Sequence, residues 1–91
     1  MSSTDISLLP IFVEVDGVVA EIVEAMEYTL FGQIKYYIFS VRINYKGIKS
    51  RVFPIQAKDL KDLINKLKIE VTKLKFFEIV YGLPEVRRMI T

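Results

Sequence analysis

Ninety-one residues with no cysteine and no histidine leave room for one domain and one core. Disulfides, thiolate chemistry, zinc-knuckle sites and the commonest general base are excluded from the outset. Hydrophobic residues at 52% and charged ones at 26% exclude a composition that stays disordered, and the net charge of +2 is far below that of a dedicated nucleic-acid binder.

The charge is unevenly distributed. Residues 1–34 hold six acids and no base, a net −6, whereas residues 35–91 hold all thirteen bases against five acids, a net +8. Such asymmetry implies either pairing across the fold or a surface for an anionic partner. No apolar run approaches the roughly 18 residues that cross a bilayer, and Met1–Ile6 lacks the basic start of a secretory signal, so the expected compartment is the cytoplasm. Two Asn and two Gln amid abundant Ile, Lys, Val and Glu follow the trend of proteins from hot environments.

Alternation of apolar and polar residues dominates the first sixty positions, punctuated by Asp16-Gly17, Gly32-Gln33 and Lys46-Gly47. Read as tight hairpins, these turns pair Val15 with Val18, Phe31 with Ile34 and Tyr45 with Ile48. Four antiparallel strands follow, at residues 10–15, 18–30, 34–45 and 48–55. One face carries Ile11, Val13 and Val15, then Val18, Ala20, Ile22, Met26 and Tyr28, then Tyr37, Phe39, Val41, Ile43 and Tyr45, then Ile48, Val52 and Pro54. Only Glu24 and Ser50 interrupt it. A one-residue slip at any turn inverts a whole strand, so the agreement of three turns supports the meander. The competing reading makes residues 18–31 a helix, giving β-α-β-β-α.

From Ala57 the period becomes helical, with Leu60, Leu63, Ile64, Leu67, Val71 and Leu74 on one stripe and lysines and acids opposite. Gly82 and Pro84 end a helix expected over residues 57–81. Its last turns, with Phe76, Phe77, Ile79, Val80 and Tyr81, are apolar around most of the circumference, and Phe76, Phe77, Val80 and Tyr81 are the expected dimer contact. The chain is thus expected to be a single α+β domain, a four-stranded meander on one long helix, with 1–9 and 84–91 as terminal extensions.

The outer sheet face in this register places Arg42 opposite Arg51 and Asn44 opposite Lys49. Facing like charges are destabilising unless an anion or an acid lies nearby. Two explanations follow. Tyr36, Arg42, Asn44, Lys49, Arg51 and Phe53 form a basic, aromatic face for single-stranded DNA or RNA, or Glu21 or Glu27 satisfies the arginines and the face serves a homodimer. Glu24, an acid on the apolar face, is the single carboxylate that suggests general-acid chemistry, and it has no paired group. The expectation is therefore a non-enzymatic, dimeric interaction or structural module with no cofactor and no metal, and single-stranded nucleic-acid binding as the alternative. The order of four strands and one helix over residues 10–81 resembles, in topology, the Whirly-type and coactivator-type single-stranded DNA-binding folds. That resemblance implies dimerisation through helices.

Overall fold

The computed structural model describes residues 9–91. It contains β1 (Ile11–Val15), β2 (Val18–Leu30), β3 (Gln33–Tyr45), β4 (Ile48–Lys49), β5 (Phe53–Ala57), α1 (Leu60–Tyr81) and α2 (Leu83–Ile90). The sheet is antiparallel in the order β1-β2-β3, and β3 pairs along its other edge first with β4 and then with β5. One face of this sheet packs on α1 and α2, which makes the fold α+β and rules out a helix over residues 18–31.

All three hairpins close through an X-Gly pair with both residues at positive φ: Asp16 (49°) and Gly17 (83°), Phe31 (56°) and Gly32 (79°), Lys46 (50°) and Gly47 (84°). This is type I′ geometry, whose twist matches that of the flanking strands. The second turn is therefore Phe31-Gly32 and not Gly32-Gln33, with Leu30 rather than Phe31 in the closing pair, opposite Gln33.

That shift alone would move β3 by two residues against β2, which preserves the faces. Two irregularities then act in between. The register slips at Ile22/Glu24, with Val23 as the extra residue, and again at Tyr28/Thr29, with Lys35 as the extra residue. Each bulge reverses the alternation, and the second cancels the first. Between them Ala25 pairs with Phe39 on the core side, and Glu24, Met26 and Tyr28 pair with Ser40, Ile38 and Tyr36 on the outer side. The expected placement of Met26, Tyr28 and Glu24 on the apolar face is thus corrected: Met26 is 55% exposed. Glu24, expected as an acid on the apolar face, is instead exposed on the outer side.

The fourth expected strand is broken at Ser50–Val52. Ser50 is the one buried polar residue among those described, and its hydroxyl accepts from the Ile43 N–H (2.9 Å) and donates to the Arg51 carbonyl (2.8 Å). The break changes the register so that Val41 faces Phe53 and Phe39 faces Ile55. Phe53 and Ile55 therefore turn toward the core, and Val52 and Pro54 turn out, the reverse of the expected arrangement. Pro54 is tolerated because β5 pairs with β3 alone.

Ala57 is the last residue of β5, so α1 starts at Leu60 and not at 57. Asp59 caps it by accepting from the Asp62 N–H (2.8 Å), and the Asp62 carboxylate accepts from the Lys58 N–H (2.9 Å). That backbone hydrogen bond, with Lys66 nearby, holds the Asp62 carboxyl below its usual range. Leu63, Leu67, Val71 and Leu74 are buried against Ala20, Ile22, Phe39, Val41 and Ile43 in a single cluster. Residues 84–91, expected as an extension, carry most of α2: Pro84 stands in its first turn, and Val86 and Ile90 join the core.

Candidate interaction surfaces

The far end of α1 is pinned to the sheet by a polar cluster. The Tyr45 hydroxyl donates to Glu78 Oε1 (2.6 Å), Lys46 Nζ donates to Glu78 Oε2 (2.9 Å), and Lys75 Nζ donates to the Asp16 carbonyl (2.8 Å). Burial, reinforced by the Glu78 carboxylate, pushes the Tyr45 phenol up to about 12. The hydrogen bond from Tyr45, and then that from Lys46, lowers Glu78. These contacts hold residues 75–78 beside the first and third turns, and Ile79 borders the hollow between them together with Asp16, Gly17 and Lys46.

The rotation of α1 decides what faces outward. Phe76 lies two residues from Leu74, about 200° around a helix of 3.6 residues per turn, and Ile69 lies two from both Leu67 and Val71. Both point away from the core, as do Ile79 and Val80. Phe76 is 67% exposed and Ile79 is 81% exposed. An apolar stripe thus runs along the outer face of the C-terminal half of α1, flanked by Lys68, Lys73 and Lys75. Of the four expected contact residues, Phe76, Val80 and Tyr81 are exposed. Phe77 turns inward, half-buried against the core with its ring 4.6 Å from that of Tyr81. Ile79, expected in the apolar end of the helix, is on this face too, and sequence reasoning missed Ile69. The available signal was an isoleucine off the core stripe between Lys68 and Glu70.

The six residues of the expected nucleic-acid face are dispersed. Tyr36, Arg42, Asn44 and Lys49 share the outer face, with Asn44 opposite Lys49 as expected. Tyr36 stacks on Tyr28 at 5.1 Å, with ring planes 9° apart. Arg42 does not face Arg51. It pairs with Glu21 at 3.5 Å across β2–β3. Arg51 leaves the sheet at the Ser50 break and holds the end of α2, its N–H donating to the Ile90 carbonyl (2.8 Å) and its Nη1 to that of Met89 (3.1 Å). A cation there is favourable against the helix dipole. Phe53 lies on the core side.

Two further features complete the surface. A groove of about 490 Å³ opens between α1, α2 and the chain after β4, lined by the apolar Phe53, Leu74, Phe76, Phe77 and Ile90 and by the charged Arg51, Glu70 and Lys73, so Phe76 borders both this groove and the outer face of α1. At the opposite end the β2–β3 hairpin extends past the end of β5, which stops opposite Tyr37, and its tip carries exposed Leu30 and Phe31. Among the described residues no group of three or more carboxylates gathers to hold a metal ion, and no helix is long and apolar enough to cross a membrane. No protein-family model, no curated protein and no solved structure matches this chain.

Proposed function

We propose that this protein is a non-enzymatic homodimeric interaction module that self-associates through the outward face of α1. The observation that carries the reading is the apolar stripe of Ile69, Phe76, Ile79 and Val80, which stands opposite the core stripe on the same helix. A helix normally presents polar residues on its solvent face, and an apolar set there is a contact surface without its partner. Two-fold self-pairing is the commonest closed solution, and a chain of this size gains stability from added burial. A stable interface removes about 800 Å² per partner, more than the stripe alone offers, so neighbouring residues of α1 and further elements take part.

Sedimentation equilibrium at micromolar concentration tests the reading. The expected mass is about twice the 10.6 kDa of one chain. A mass of one chain overturns it. A second reading, single-stranded nucleic-acid binding, is supported by the stack of exposed Tyr28 on half-buried Tyr36, on the same sheet face as Arg42, Asn44 and Lys49. Against it stand the Glu21 partner of Arg42 and the removal of Arg51 and Phe53 from that face.

A further inference from the structure

β2 outruns the strand beside it. β1 pairs with β2 from Val18 to Ile22 only, and Pro10, next to Ile11, has no N–H with which to carry that ladder further. Past the bulge at Val23, β2 continues to Leu30 with β3 along one side and no strand among the described residues along the other. The open edge from Glu24 to Leu30 is roughly 20 Å long at ~3.3 Å per residue. Its outward backbone donors and acceptors are those of a strand without its neighbour.

Edges that a fold leaves open are ordinarily guarded by shortness, by proline or by lysine. The other free edges here carry such guards: β1 and β5 are 5 residues long, β5 contains Pro54, and the stretch of β3 before Tyr37 contains Lys35. Between Glu24 and Leu30 there is neither lysine nor proline. Met26, Tyr28 and Leu30 stand exposed on one side of this edge, with Tyr28 braced by its stack on Tyr36, and Glu27 stands on the other side with Ala25 and Thr29. Neither Glu24 nor Glu27 has an ion-pair partner among the described residues.

We infer that this edge accepts an extended segment of a partner protein as a further strand, one in which apolar residues alternate with lysine or arginine. Backbone pairing supplies affinity in such an arrangement, and alternate side chains supply selectivity. Apolar side chains of the added strand lie beside Met26, Tyr28 and Leu30, and its basic ones lie beside Glu27 and Glu24. Charge disfavours the two occupants nearest to hand. A second copy's β2 brings the same acids against the edge, and residues 1–8 carry Asp5 and no basic side chain. The inference goes beyond the α1 dimer and does not depend on it. The open edge lies on the stretch of β2 opposite Ser40 to Gln33, toward the hairpin tip, whereas the C-terminal half of α1 is fixed beside Tyr45.

The probe is an acetylated and amidated peptide alternating lysine and valine over the length of the open edge, with a glutamate-for-lysine counterpart, read by fluorescence anisotropy at low salt against wild type and Glu24→Lys/Glu27→Lys. Both substituted residues are exposed, so the melting temperature is expected to stay near that of wild type. Wild type is expected to bind the lysine peptide and not the glutamate one, and the double variant to bind the first about tenfold more weakly and to gain the second. Methylating alternate backbone nitrogens of the lysine peptide removes the donors of one of its two edges, and at least one of the two methylated forms is expected to lose binding. Failure of the lysine peptide to bind wild type, equal binding by the double variant, or parental affinity in both methylated forms overturns the proposal. A wild-type mass that falls to one chain on Met26→Lys and not on Phe76→Glu makes a second copy the occupant and overturns it as well.

Discussion

Replacing Phe76 tests the outward face of α1 directly. An aromatic side chain buries about 150–250 Å², so the 67% of Phe76 left exposed corresponds to roughly 100–170 Å² available to a partner. At about 25 cal/mol per Å² that is about 2.5–4 kcal/mol for each copy. Buried area converts poorly to affinity, because ordering and desolvation oppose it. Counting only one copy's share still gives a dissociation constant raised on the order of a hundredfold to a thousandfold, since about 1.4 kcal/mol is tenfold. The monomer should hardly respond, because exposed sites change stability by about 0.5 kcal/mol or less. The assay is sedimentation equilibrium from nanomolar to micromolar concentration on wild type, Phe76→Glu and Phe76→Gln, with far-ultraviolet circular dichroism to confirm the fold. Phe76→Gln separates lost apolar area from the effect of a carboxylate in the last turns of a helix. Wild-type association in both variants would refute the assignment of this face.

Other consequences follow from particular contacts. Ser50→Ala should leave the buried Ile43 N–H without the hydroxyl it donates to and lower unfolding free energy by about 1–3 kcal/mol in urea melts. Tyr45 has a folded pKa of about 12 against the ordinary 10.0, so the folded state holds this proton more tightly than the unfolded chain. The stabilisation is fully present below pH 10 and is lost as pH rises toward 12, and Tyr45→Phe should flatten that alkaline limb of a stability–pH curve. Glu78 has the opposite sign, since its folded pKa is lowered: its contribution is present above the ordinary 4.5 and fades as pH falls below it, so Glu78→Gln should reduce the acid-side slope. Titration with labelled single-stranded oligonucleotides at low salt should show no binding. Binding with a steep salt dependence, made shallower by about 0.7 in log–log slope by Arg42→Gln, would favour the nucleic-acid reading instead.

The sequence by itself determined the meander, the helix and most of the core, because each depends on local chemistry. X-Gly pairs supply the positive φ of type I′ turns, alternation assigns faces in β1, early β2 and β3, and the spacing of Leu63, Leu67, Val71 and Leu74 sets the buried side of α1. The apolar end of α1 was legible for the same reason, as an excess of apolar groups beyond what one stripe can bury. Tertiary structure alone decided which way the middle of β2 faces. Val23, Glu24 and Ala25 admit either alternation locally, and a bulge at Val23 is favoured only because it places Ala25, and not Glu24, against Phe39 and the core. The break at Ser50 is of the same kind. Its hydroxyl substitutes for a strand contact only once Ile43 lies opposite, and the resulting slip carries Phe53 inward and sends Arg51 to the end of α2. Strand alternation is a local periodicity, but its phase after a bulge is set by which residue meets the core, and that is a property of the packed fold.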